Sequence, residues 1–257
     1  MTPRYAEFAP RADLTPYVAC VWVFEGRDPE IQRIAPDGRC ELIVHHGDPY
    51  LELAEGGWVR QPSVLFAGQL TRPLHLRADG VAGVIGVRFH TAAAHAFLGG
   101  SLDRVTDRRA PMVLSDLAAP DEVSRIARVQ DAVARRIADL AIAADPLIDH
   151  CVARLEEGAS VETLMRETGL AARTLQRRFA IRVGVSPRML ASIIRFRRVF
   201  EALREADAES WTDAAQAAGY FDHPQMARDF RRFVGCTASQ FVAGGKGLSA
   251  SLVDLPA

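Results

Sequence analysis

Residues 171–183 read AARTLQRRFAIRV, a stretch with four arginines and no acidic residue. Wound as a helix at about 100° per residue, it places Arg173, Gln176, Arg177 and Ala180 on one face and Leu175, Phe179 and Val183 on the roughly opposite one. The apolar face is fit to pack and the basic face to meet an anion. Arginine can bind guanine O6 and N7 with two hydrogen bonds, and glutamine can do the same to adenine N6 and N7. Arg173, Gln176 and Arg177 are therefore candidate readers of base edges. Thr174 and Arg178 are candidate phosphate holders, which fix register without reading sequence. A single basic helix is also what a solvated surface looks like, so this chemistry needs a second observation behind it.

A repeat supplies it. Leu175, Arg177, Phe179, Val183, Gly184 and Ser186 recur 51 positions later as Met226, Arg228, Phe230, Val234, Gly235 and Thr237. Upstream the offset is 50, from Met165 to Ala215 and from Gly169 to Gly219, so the second copy carries one extra residue in its turn. Short helix, glycine turn and basic helix is the order in which a second helix enters a major groove while the first crosses the phosphate backbone. In the second copy His223, Gln225 and Arg228 are the base-edge candidates, and Arg231 and Arg232 the phosphate candidates. Two units joined by a long helix over 187–205 would reach successive major-groove faces roughly 34 Å apart. Leu175, Phe179, Met226 and Phe230 are assigned to the core that aims these helices.

The elements around the repeat follow from local signals. Asp145-Pro146 breaks any preceding helix, because proline lacks a donor and restricts the residue before it. The expected division is a β-rich domain with a helical end over 1–145, a double helix-turn-helix domain over 146–245, and a tail over 246–257. Helices are expected over 146–156, 161–168, 171–183, 187–205, 212–218, 223–234 and 238–242. Ser186-Pro187 reads as a helix start, and Ser210 to Asp213 and Asp222 to Gln225 have capping-box form. Before the boundary, short apolar runs from Tyr17 to Phe89, separated by turn residues such as Pro36-Asp37-Gly38, predict a β-sandwich or barrel. A first helical piece is expected over 92–98. A longer amphipathic helix is expected over 121–144, its stripe of Val123, Ile126, Val129, Val133, Ile137 and Leu140 packing on its own barrel or on a second copy.

Composition agrees with a folded, soluble protein, and a net charge close to zero by itself argues against a general polyanion binder. The 257 residues are 49% hydrophobic, enough for sizeable cores, and the net charge is −1. That charge is uneven, with 16 Lys and Arg against 20 Asp and Glu in residues 1–150, and 14 against 11 in residues 151–245. Cys20, Cys40, Cys151 and Cys236 form no regular framework and read as buried or idle thiols in a reducing compartment. No apolar run is long enough to span a bilayer, so a cytoplasmic location without membrane partners is expected.

On these motifs, residues 148–242 resemble the DNA-binding domain of the AraC/XylS family of transcription regulators. The match is carried by RTLQRRF and VGVSP in the first unit and by AAQAAGY and HPQMARDFRRFVG in the second. Two positions depart from the pattern: Ala171 stands where a capping residue is common, and Ala238 where a proline is common before Phe241. PDGRCEL at 36–42 and GVRF at 86–89 more faintly resemble the cupin-like sensor domains that precede this module. The resemblance implies a two-domain transcription regulator bound to double-stranded DNA, with an N-terminal half that takes a small-molecule effector or forms a homodimer. It implies RNA polymerase as a partner if the protein is an activator.

Enzymatic readings are weaker. His45, His46, His75, His90 and His95 invite a metal site, but adjacent residues of a strand point to opposite faces, so His45 and His46 could not share one. Nothing brings a nucleophile to Asp37 or Glu41. No metal, no cofactor and no catalytic residue is expected. If the barrel holds an effector, Trp22, Glu41, His75 and Arg88 are the candidate lining residues. Two other readings stay open: a metal-dependent cupin-type enzyme fused to a DNA-binding domain, and a DNA-binding protein whose N-terminal half only mediates protein contacts.

Overall fold

Along Val18–Gly26, the valines Val21 and Val23 are buried on one side of the strand while Trp22 and Phe24, half-buried, stand on the other. This period-two alternation gives the first half of the chain a sheet with two different faces. The computed structural model describes residues 3–27, 30–204 and 211–243. Its strands are β1 (Arg4–Phe8), β2 (Val18–Gly26), β3 (Gln32–Ile34), β4 (Glu41–His45), β5 (Leu51–Ala54), β6 (Gly57–Arg60), β7 (Val64–Ala67), β8 (Leu74–Arg77), β9 (Ala82–Phe89) and β10 (Arg109–Pro111). They pair antiparallel in two sheets, one ordered β1-β2-β9-β4-β7-β10 and the other β3-β8-β5-β6.

One face of the larger sheet is covered by α1 (Ala94–Leu98) and α2 (Glu122–Leu140). Val21, Leu42, Phe66, Ile85 and Val87 meet Ile126, Val129, Val133 and Ile137 there in one buried core. Phe66, Phe89 and Phe97 form a ring cluster in it, with the Phe89 and Phe97 centroids 5.0 Å apart. The stripe of α2 thus docks on its own barrel, except Val123, which is 76% exposed. Asp121 caps the helix by accepting from the Ser124 N–H. The helix ends at Leu140, earlier than residue 144, because Ala141 turns left-handed at φ 47°. α1 likewise begins at Ala94 and not at residue 92.

After Pro146 the described chain is helical: α3 (Pro146–Glu156), α4 (Val161–Thr168), α5 (Ala172–Arg182), α6 (Pro187–Arg204), α7 (Trp211–Ala217), α8 (His223–Val234) and α9 (Ala238–Ala243). Polar caps set most starts, with Asp145, Ser160, Ser186 and Asp222 each accepting a main-chain N–H three residues on. Ser210, expected to cap α7, lies outside the described residues, as do Glu205 and the tail.

The repeat is present in three dimensions. Leu175 and Met226, Phe179 and Phe230, and Val183 and Val234 are all buried at matching places. Gly184 and Gly235, which end the two basic helices, take φ of 92° and 81°, a backbone that favours glycine. α6 belongs to both units. Its Leu190 and Ile194 lie in the core of the first, and its Ile193, Phe196 and Phe200 pack with Phe230 and Phe233 of the second.

The two halves of the chain touch through the Pro36–Gly38 turn. Ala35 sits in the core with Ile193, Phe196 and Phe230, and Arg197 Nη1 donates to the Asp37 carbonyl at 3.3 Å. Thr106 Oγ1 donates to the Gly184 carbonyl at 2.6 Å, tying the end of α5 to the barrel side. Among the described residues, no helix is long and apolar enough to cross a membrane.

Candidate functional site

On α5 the side chains of Arg173, Gln176 and Arg177 are exposed, while Leu175 and Phe179 are buried beneath them. Thr174 is half-buried. Arg178 is half-buried too and turns towards the start of α3, with its Nε 3.8 Å from Asp145 Oδ2. Arg182 makes a similar turn, donating to the Ala143 carbonyl at 3.1 Å. The basic face therefore divides into three side chains facing solvent and two arginines engaged with residues 143–145. Ala171 precedes the helix in extended conformation with no side-chain cap.

On α8, His223 and Arg228 are exposed, as are Arg231 and Arg232. Gln225 is half-buried and occupied at its oxygen, which accepts from the Phe221 N–H at 3.3 Å while its own N–H caps on Asp222 at 2.7 Å. Its amide NH₂ remains for other partners. The helix is anchored from below by Met226 and Phe230, and from the side by Tyr220, whose hydroxyl donates to Asp229 Oδ2 at 3.1 Å. Burial pushes the Asp229 carboxyl above the usual carboxylate range, and the Arg195 guanidinium covers the Tyr220 ring at 5.1 Å.

The second candidate region is a cavity of about 810 Å³ between the two sheets. Trp22, Phe24, Ile43, Leu65, Leu76 and Val84 supply apolar wall. Trp22 has room because Gly86 faces it across the β2–β9 pair; a Cβ at Gly86 would sit 2.0 Å from the indole. Glu41 Oε1 accepts from both Trp22 Nε1 at 3.0 Å and Arg88 Nε at 2.9 Å. Burial pushes the Glu41 carboxyl up, against the pull of Arg88 and the indole N–H. Arg88 also lies 3.8 Å from Glu7 and 4.0 Å from Asp37. Although burial opposes its charge, Glu41 and Asp37 hold the guanidinium firmly protonated.

Of the four expected lining residues, Trp22, Glu41 and Arg88 face the cavity and His75 does not. Leu74 and Leu76 point inward, so by strand alternation His75 points outward, in register with Arg33. The same alternation along β4 and the turn before it brings Asp37, Arg39, Glu41, Ile43 and His45 to the cavity, a signal available in the sequence. Arg109 carried no such signal, because its three-residue strand is too short for a pattern. It pairs with Glu52 through Nε at 2.9 Å and leaves Nη1 buried without a partner. Burial pushes the Cys20 thiol up to about 11, which keeps it protonated and unreactive at neutral pH. Among the described residues, no three His, Cys, Asp or Glu side chains are grouped to hold a metal.

Residues 164–244 match a family model described as a helix-turn-helix domain, and residues 6–111 match a domain of unknown function, DUF6597. The C-terminal region is an AraC-type helix-turn-helix domain. The chain is accordingly a DNA-binding transcription regulator with an antiparallel-sheet domain in front of its AraC-type domain. No curated protein matches it in sequence. Solved structures of ToxT from Vibrio cholerae are similar over most of the chain. The strain O395 structure has 9% identity and covers 88% of this chain and 97% of that one, with a TM-score of 0.48. ToxT from the same strain bound to (E)-4-(8-methylnaphthalen-1-yl)but-3-enoic acid has 9% identity, 86% and 97% coverage and a TM-score of 0.49. The unsaturated fatty acid-bound protein of strain SCE256 has 11% identity, 86% and 93% coverage and a TM-score of 0.45.

The cavity and the AraC-type domain share one piece of chain. The turn that carries Asp37 and Arg39 into the cavity presents Ala35, Gly38 and the Asp37 carbonyl to α6. A Cβ at Gly38, whose φ is 84°, would lie 3.2 Å from Leu190 Cδ1.

Proposed function

We propose that the protein reads two adjacent DNA subsites with α5 and α8, and that a small molecule held between its sheets biases this binding. Arg173, Gln176 and Arg177 would read bases in one subsite, and His223, Gln225 and Arg228 in the other. Thr174, Arg178, Arg231 and Arg232 would hold phosphates, Arg178 after release from Asp145. The division of labour falls at residue 145, with 1–145 as sensor and 146–245 as reader. The function is binding, not catalysis, in the cytoplasm.

The observation that carries this is the pair of matched units with basic side chains exposed on each second helix, both packed on α6. The effector would be a largely apolar molecule whose polar group meets Arg39 and the Glu41–Arg88 pair, since pockets of this kind combine apolar walls with few polar anchors. Its influence would pass through the Pro36–Gly38 turn to α6. A homodimer, and contact with RNA polymerase if the protein activates, belong to the same reading.

Selection of bound duplexes from random DNA with the full chain tests the first part; one enriched motif with two subsites is expected, and no enrichment would overturn it. Thermal shift against a metabolite panel tests the second, because a ligand of the folded state alone must raise its stability. Raised stability that is abolished by Arg88→Gln would support the cavity as its site.

A further inference from the structure

Phe221 is the extra residue of the second turn. Gly169 and Gly219 close α4 and α7, and Leu170 corresponds to Tyr220, both turned into the cores of their units. Ala171 and Asp222 are the N-caps that follow, so the residue between Tyr220 and Asp222 has no counterpart in the first unit. That residue is a phenylalanine and it is 95% exposed.

Its exposure is not looseness of the backbone. The Phe221 N–H donates to Gln225 Oε1, and Asp222 accepts the Gln225 N–H, so the residue is pinned to the first turn of α8 on both sides. It stands beside exposed His223 and Pro224, at the head of a helix whose other exposed side chains include Arg228, Arg231 and Arg232. A bare aromatic ring among cations suits an anionic partner that also offers apolar surface. DNA has such a surface in the major groove: the 5-methyl group of thymine, which apolar side chains contact. The N-terminal residues of a recognition helix are those that reach base edges.

We propose that Phe221 is a specificity-determining residue that meets a thymine methyl group in the second subsite. This rests on α8 being a DNA-reading helix. The first unit lacks the residue, so the two subsites differ in this contact.

The test compares full-length wild type with Phe221→Ala in selection from random duplex DNA, then measures both on the wild-type motif with each thymine replaced in turn by uracil, which lacks the methyl. Phe221 is exposed, so the variant should fold; circular dichroism and thermal unfolding verify it. At one thymine of the second subsite, uracil should weaken wild type about three- to tenfold and leave Phe221→Ala unchanged. The variant should also lose its preference for thymine there. Enrichment of an identical motif by both proteins, with equal uracil effects, would overturn the proposal and leave α8 as a reader, as it would if Phe221 served a protein partner. No enrichment by wild type would overturn the DNA-reading assignment itself and this inference with it.

Discussion

The main-chain carbonyl of Asp37 accepts a hydrogen bond from Nη1 of Arg197, so a residue bordering the cavity is joined directly to the helix shared by both helix-turn-helix units. Arg197 also donates to Glu156 at 2.6 Å and to Glu201 at 2.9 Å, and it is mostly buried. Removing it orphans two carboxylates and one carbonyl. Arg197→Ala should therefore lower stability by about 1.5–3 kcal/mol, the range for hydrogen bonds to charged groups. Urea unfolding with wild type in parallel measures this, and an unchanged midpoint would show that the contact carries no stability.

The basic faces give a prediction that separates reading from holding. Arg177→Ala should cost about 1–3 kcal/mol of discrimination at one position of the selected motif. Arg231→Ala should weaken all duplexes alike and reduce the slope of log affinity against log salt by about one. Titrations at several salt concentrations, with matched and base-substituted duplexes, check both. If Arg177→Ala kept full discrimination, that side chain would not be a reader.

Acid should destabilise the sheet domain. Burial depresses the pKa of His45, whose Nε2 lies 3.2 Å from Gln61 Oε1 and whose ring packs near Tyr50, with His46 adjacent. His46, His75, His90 and His95 are depressed as well, each chiefly by burial. Unfolding therefore takes up protons once the pH falls below about 6.5, the ordinary histidine value. Stability contributed by these groups is full above that pH and is lost as the pH drops through their folded values, with a slope of up to about 1.4 kcal/mol per pH unit for each proton. Chemical denaturation between pH 7.5 and 5 should show this decline, and His45→Gln should flatten it. A profile identical to wild type would show that His45 takes no part.

How much of this was legible depended on where local chemistry decides. Helix starts at Pro187 and His223 were readable because Ser186 and Asp222 are caps whose hydrogen bonds lie within three residues, and the start at Pro146 because proline breaks the helix before it. The repeat was readable because buried Leu175, Phe179, Met226 and Phe230 must keep helical spacing. β1 escaped because RYAEF is an edge strand, half-exposed or exposed throughout, whose place is set by its pairing with β2 and by tertiary contacts such as Arg4 with Glu122. The inward turn of Arg178 and the outward turn of His75 depend on Asp145 and on sheet pairing, which are tertiary facts. Phe221 was visible as an extra residue in a turn, but its exposure was not.

Helices α5 and α8 differ at their N-caps, and that difference is testable by exchange. Ala171 holds φ −64° and ψ 147°, the extended backbone of an N-cap, without any side-chain acceptor, whereas Asp222 in the same role accepts the Gln225 N–H. The Thr174 N–H already donates to the Ala171 carbonyl at 3.0 Å, and a serine hydroxyl at 171 would offer it a second acceptor without backbone change, so Ala171→Ser should stabilise the protein by about 0.5 kcal/mol, the low end of the capping range. Asp222→Ala should cost about the same and free the Gln225 end of the turn. Thermal unfolding distinguishes them by sign. Binding adds a second readout: if DNA orders the first turn of α5, pre-ordering it with serine should tighten binding to the selected duplex by up to the factor that the added stability represents, with the base preference unchanged. Ala171→Ser that raised stability but left affinity untouched would show that α5 is fully formed before DNA arrives.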